Sequence, residues 1–218
     1  MILTKELSCC RNLCVPDACS LLFSAQVELE GKKIFDWLLD RYQIYVCPEV
    51  KYECFQNIQK SRVEIDNPQK FKREVSRNQV RSNIDYSDCL RYLEKYCDEN
   101  EMSRFSKLGD GEKNSVALSL YLNTKFGKSI ILLIDDYEAI KAIAPILEEQ
   151  KFAIQKSVPD FIIHLFKTNI HLSENRVNGA LQSYYNIMKR AVLHKTSKDR
   201  MRFNCRSFWV RECGQKCI

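Results

Sequence analysis

The segment Ser129-Ile130-Ile131-Leu132-Leu133-Ile134-Asp135-Asp136 decides the fold class. Its aliphatic run reads as a strand buried on both faces, and it passes directly into two adjacent acids ahead of an amphipathic helix. In open α/β sheets, ligands bind in the crevice beyond the carboxyl ends of the strands, so acids placed here face the functional edge. An Asp after a strand also serves as the N-cap of the next helix, accepting hydrogen bonds from free backbone N–H groups. Taken singly, Asp135 and Asp136 fit either role.

Working outward from this strand, the pattern alternates strand and helix. Arg11 to Pro16 predicts a short strand ending at Asp17, and Ala18 to Gln26 a helix. Lys32 to Arg41 carries Ile34, Phe35, Leu38 and Leu39 at helical spacing. Gln43 to Cys47 reads as a second strand, and Pro48 fits the first turn of a helix running to about Ile58. Asn57 to Lys107 is polar, charged and free of Gly, which predicts surface helices, the best from Asp85 to Cys97. Leu108-Gly109-Asp110-Gly111-Glu112 breaks the pattern before a helix over Asn114 to Phe126. Beyond Asp136 the spacing predicts a helix over Tyr137 to Glu149, a strand near Phe152 to Ile154, and helices at Asp160 to Thr168 and Glu174 to Arg190. The result is an α/β fold, expected as three layers (α/β/α) around a central, mostly parallel sheet. Residues 1–156 are the expected core domain, and 157–218 a helical, basic C-terminal extension packed on it.

At 218 residues the chain suits one well-buried domain with a small appendage. It contains no apolar stretch long enough to cross a bilayer and no secretory signal at its start, so a soluble, cytoplasmic protein without membrane partners is expected. Its eleven cysteines mostly sit singly in apolar patterns, as Cys19, Cys47, Cys54, Cys89 and Cys97 do, where thiols behave as small hydrophobes. Cys9, Cys10, Cys14, Cys205, Cys213 and Cys217 lie near the two ends, but none forms the CxxC pair of a structural zinc site, and buried or free thiols are the favoured reading.

The positive charge is concentrated at one end. Between Lys189 and Ile218 nine basic residues (Lys189, Arg190, Lys195, Lys198, Arg200, Arg202, Arg206, Arg211, Lys216) face only Asp199 and Glu212, whereas the whole chain carries +6. Such a run suits a polyanion, because Lys and Arg gain affinity by releasing counterions condensed on a phosphate backbone. Phe203, Phe208 and Trp209 interleave with the charges and suit base stacking. A solvated helix and tail is the plainer alternative.

The remaining signal is an ordered set of acids. Val15-Pro16-Asp17-Ala18-Cys19-Ser20-Leu21, Pro48-Glu49-Val50-Lys51-Tyr52-Glu53, Leu108-Gly109-Asp110-Gly111-Glu112 with Val116-Ala117-Leu118, and Ile134-Asp135-Asp136 with Ala142 and Ala144 stand in this order along the chain. The arrangement resembles the PIN domain family of metal-dependent nucleases, with the Gly-Glu form of the third motif found in members related to toxin nucleases. It covers about residues 10 to 155; the Cys-rich first strand and the basic end match no motif of the family.

The resemblance implies Asp17, Glu53, Glu112 and Asp136 as the catalytic acids. Asp17 and Asp136 would be primary metal ligands, and Glu53 and Glu112 ligands or water-orienting acids, with Asp110 and Asp135 in a second tier. Oxygen-rich acid clusters favour one or two Mg²⁺ or Mn²⁺ ions. The implied activity is endoribonucleolytic cleavage of single-stranded RNA, in the manner of a toxin-type nuclease. An antitoxin-like inhibitor and a second copy of the chain are the partners this reading allows. A flap- or branch-cutting DNA nuclease, or a non-catalytic PIN-like binding module, are the alternatives. His164, His171 and His194 form no HxxxH pair, and no GxxxxGK[ST] or GxGxxG loop supports nucleotide binding. If Lys189, Arg190, Lys195, Lys198, Arg200, Arg202, Arg206 and Trp209 contact nucleic acid, truncation after Met188 weakens RNA binding and flattens its salt dependence. A filter-binding salt titration checks this, and an unchanged slope removes the tail from the interface.

Overall fold

The computed structural model describes residues 12–60, 62–81, 83–169 and 171–194. The chain runs through β1 (Asn12–Pro16), α1 (Ala18–Gln26), β2 (Glu28–Leu29), β3 (Lys32–Lys33), α2 (Ile34–Arg41), β4 (Tyr42–Ile44) and α3 (Pro48–Gln59). It continues through α4 (Pro68–Arg77), α5 (Ser87–Glu99), a 3₁₀ turn at Phe105–Lys107, and α6 (Asp110–Phe126). Then follow β5 (Ile130–Leu133), α7 (Tyr137–Gln150), β6 (Ala153–Lys156), α8 (Val158–Thr168) and α9 (Glu174–His194).

β1, β4, β5 and β6 form one four-stranded, all-parallel sheet in the order β4-β1-β5-β6. Every residue of β5 is buried, as are Leu13, Cys14 and Val15 of β1. Successive strand residues point to opposite faces, so unbroken burial means that helices cover both faces of the sheet. Register pairs Cys14 with Ile131, Val15 with Leu132 and Pro16 with Leu133. The two central strands therefore end level with each other. From β1 the chain first pairs to one side, in β4, and after the α3–α6 excursion returns on the other side, in β5. That reversal opens a crevice at the carboxyl ends of β1 and β5, where their following residues are not covered by a common crossover.

Helix α6 closes one side of this end. Its buried face holds Ser115, Val116, Ala117, Leu118, Ser119 and Leu122, and the Ser119 hydroxyl is satisfied by the Ser115 carbonyl at 2.8 Å. Ser115 in turn donates to the Pro16 carbonyl at 3.4 Å, tying α6 to the end of β1. Helices α8 and α9 belong to the same packing: Val158, Phe161, Leu165, Val177, Ala180, Tyr184 and Met188 are buried in one cluster with the sheet. The core thus runs past residue 156 without a break. No helix among the described residues is long and apolar enough to cross a membrane.

The structure differs from the sequence expectations at three boundaries. The helix expected from Lys32 starts at Ile34, because Lys32 and Lys33 pair antiparallel with Leu29 and Glu28. The tight turn between them holds Glu30 and Gly31 at φ 54° and 71°, the left-handed pair that suits a two-residue hairpin. The helix expected from Asn114 begins a turn earlier, at Asp110, since the Glu112 carboxylate reaches back to the Gly109 N–H at 2.6 Å and stabilises the first turn. The second sheet strand spans Tyr42–Ile44 rather than Gln43–Cys47, and beyond it Val46 pairs only with Gln79.

Leu132, fully buried in β5, carries a direct test of this core. Leu132→Ala is expected to lower unfolding free energy by about 2–5 kcal/mol in urea titrations, since the strand is packed on both faces and cannot collapse around the lost atoms.

Candidate functional site

Asp17 follows β1 and caps α1. Its N–H donates to the Leu133 carbonyl at 2.9 Å, which stitches the ends of the central strands together. Its carboxylate accepts from the Ser20 N–H at 2.6 Å, yet the side chain is almost fully buried, at 2% exposure. The cap and the site roles therefore coincide in one residue. Burial first, then the neighbouring Asp135 and, more weakly, Glu112, push the Asp17 carboxyl well above its ordinary 3.8, against the opposing hydrogen bonds from Ser20.

Asp135 stands two residues beyond the end of β5 and is buried at 7% exposure. Its Oδ1 accepts from the Val158 N–H at 3.1 Å, at the start of α8, and from the Tyr184 hydroxyl at 2.5 Å, on α9. Burial raises its pKa to about 6, while the bonds from Ser20, Tyr184 and Val158 pull it down. Ser20 ties the two strand ends together: its N–H serves Asp17 and its hydroxyl donates to the Leu133 carbonyl at 3.1 Å.

The two adjacent acids, Asp136 expected as a primary ligand and Asp135 in the second tier, differ in burial. Asp136, expected as a primary ligand, is half-buried and caps α7, accepting from the Glu138 and Ala139 N–H groups at 2.9 and 3.1 Å. Asp135 is buried and raises the Asp17 carboxyl more than Glu112 does.

The other acids surround this pair. Glu112 is half-buried, bonds the Gly109 N–H, and is close enough to raise the Asp17 carboxyl. Glu53 is exposed on α3 and abuts α6: a Cβ built on Gly111 would meet Glu53 Oε2 at 3.2 Å and Val50 Cγ2 at 3.5 Å. Glycine at 111 leaves room for the Glu53 carboxylate beside α6. Glu53 and Asp17 both act on the Cys54 thiol, after burial, to push it well above its ordinary value, which puts them on one side of the molecule. Exposed Asp110 lines an open cleft of about 420 Å³ together with Pro48, Glu49, Tyr52, Glu53 and Gly111.

Sequence reasoning missed Ser20, Glu49 and Tyr184. Glu49 lies one helical turn before Glu53, and its Oε2 is buried without a hydrogen-bond partner among the described residues. The i, i+4 spacing was a usable signal. Tyr184 reaches Asp135 across 49 residues and left no local trace. Lys189 and Arg190 are exposed on α9, whereas Lys195, Lys198, Arg200, Arg202, Arg206 and Trp209 lie outside the described residues. So do Cys9, Cys10, Cys205, Cys213 and Cys217. Cys14 sits inside β1 with its thiol pushed by burial up to about 12, a core residue rather than a ligand poised for the chain ends.

The donors in the crevice are hard oxygens, which suit Mg²⁺ or Mn²⁺. Among the described residues no three His, Cys, Asp or Glu side chains form a ready-made cage. Mg²⁺ sites commonly use one or two carboxylates plus water and substrate phosphate, so the Asp17–Asp135 pair fits that mode of binding. Its buried negative charge is the feature a cation would relieve. The chain matches no protein-family model, no curated protein and no solved structure.

The raised Asp135 pKa has a signed consequence. In chelator-treated protein its contribution to stability is fully present below the ordinary value of 3.8 and is lost as pH rises through about 6. Urea unfolding between pH 4 and 7 should show wild type losing on the order of 2–3 kcal/mol relative to Asp135→Asn. Parallel pH profiles for the two proteins would contradict this account.

Proposed function

We propose that the protein is a divalent-metal-dependent endoribonuclease of PIN type that hydrolyses phosphodiester bonds in single-stranded RNA. The observation carrying this reading is the Asp17–Asp135 pair, buried together at the carboxyl ends of adjacent parallel strands where the chain order reverses. A three-layer α/β/α arrangement with the four acidic motifs in order around that crevice is the setting the reading requires.

Asp17 and Asp135 are the residues that would hold a cation, with Glu112 and Glu53 beside them. When bound, a divalent ion supplies Lewis acidity that activates water and positive charge opposite the phosphate. The chain's own contribution is orientation and charge. Tyr184 and the α8 N-terminus hold Asp135 in place, and the Ser20 N–H holds Asp17. Glu53 and Glu112, less buried than the central pair, are the acids available to accept a proton from an attacking water. No protein nucleophile is needed for in-line displacement at phosphorus.

Incubation of the full chain with unstructured RNA in Mn²⁺ tests the proposal. Asp17→Asn and Asp135→Asn should each reduce cleavage by at least about 100-fold, the scale of losing one electrostatic stabiliser of a transition state. Asp136→Asn should cleave near the wild-type rate, because Asn caps a helix about as well as Asp. Equal cleavage by wild type and the Asp17 and Asp135 variants would sink the proposal, and a preference for branched DNA over RNA would move it to the flap-nuclease class.

A further inference from the structure

We propose that Tyr184 is a positioning residue for the metal site, a hydrogen-bond donor that fixes the Asp135 carboxylate and makes helix α9 an integral part of the centre. The role rests on the metal-site reading above. Three observations carry it. The Tyr184 hydroxyl lies 2.5 Å from Asp135 Oδ1, within the roughly 2.5–2.7 Å range of charge-assisted O–H···O⁻ bonds. The ring is clamped independently of that bond, packing edge-on against Phe23 of α1 with centroids 5.5 Å apart and planes at 87°. The tyrosine is itself buried at 6% exposure, in the same cluster as the sheet, so the bond is shielded from competing water.

The geometry divides the work around Asp135 between two C-terminal helices. The first N–H of α8 and the phenol of α9 both meet Oδ1, one from the backbone and one from a side chain. Both are donors, so together they select the ionised, acceptor form of the carboxylate and restrict its rotation about χ2. Burial and the adjacent acid keep the phenol protonated, so it remains a donor. Partners of this kind orient a ligating carboxylate, and their loss typically weakens metal binding about 10–100-fold. The residues concerned, 135 and 184, share no local motif, which is why the role is visible only in the folded chain.

Calorimetric titration of the full chain with Mn²⁺ provides the test, comparing wild type, Tyr184→Phe and Val177→Ala. Phenylalanine keeps the ring and its packing on Phe23 while deleting the hydroxyl. Val177 is buried on the same helix two turns away, so its truncation destabilises α9 without removing the donor. The expected result is a Mn²⁺ affinity reduced about 10–100-fold in Tyr184→Phe and unchanged in Val177→Ala. A thermal melt of each protein in chelator verifies folding. Unchanged or tighter Mn²⁺ binding by Tyr184→Phe overturns the positioning role while leaving the metal site standing. An equal loss in Val177→Ala also overturns it, reducing Tyr184 to a packing residue. Absence of Mn²⁺ uptake by wild type overturns the metal-site reading itself, and this role with it.

Discussion

Two carboxylates buried side by side are the constraint on which the rest of this structure depends. An ionised acid taken out of water costs several kcal/mol unless hydrogen bonds or opposite charge offset it. The fold answers by pointing helix starts at the acids. Asp17 caps α1, Glu112 stands in the first turn of α6, Asp136 caps α7, and Asp135 accepts from the first N–H of α8. Each helix start presents free N–H groups and about half a positive charge, worth roughly 0.3–1 kcal/mol to a nearby anion and at most about 2. That is too little to cancel burial and mutual repulsion, which is why Asp17 and Asp135 remain shifted upward. Burial, more than any single neighbour, sets the electrostatics of this pair.

Packing around the crevice serves the same end through small residues. Gly111 permits Glu53 to lie against α6, and Ser115 and Ser119 let α6 press close to β1 while bonding their own hydroxyls. Cys47 and Cys54 fill the space between α3, α6 and α1 as compact hydrophobes, each touching a backbone carbonyl through sulfur at 3.8 Å. The abundance of cysteine in this chain is thus partly a packing matter: small, weakly polar side chains allow three helices to converge on one strand end.

Much of the fold was legible because its strongest signals are local. The aliphatic run at 130–134 could be read as a two-sided buried strand, and α1, α3 and α7 fell within a residue or two of their expected limits. The β2–β3 hairpin was not legible because two-residue strands are too short to show alternation; only Gly31 marked the turn. At the site, Asp17 was identified correctly as standing at a strand end, since one acid there has no competitor. The difference in burial between Asp135 and Asp136 left no mark in the sequence, because the cover of Asp135 comes from distant α8 and α9. Glu49 was within reach through its spacing from Glu53. Tyr184 was not, because nothing along 49 intervening residues announces the contact.

The bond between Tyr184 and Asp135 also sets an order of assembly. A chain emerging from the ribosome presents Asp17 early and the donor on α9 much later, and domains fold as their segments become available. Until α9 docks, Asp135 lacks one of its hydrogen-bond donors and the cluster lacks the cover of Ala180, Tyr184 and Met188. The surroundings of Asp135 are therefore completed only after α9 has been made, and not when the sheet strands first become available.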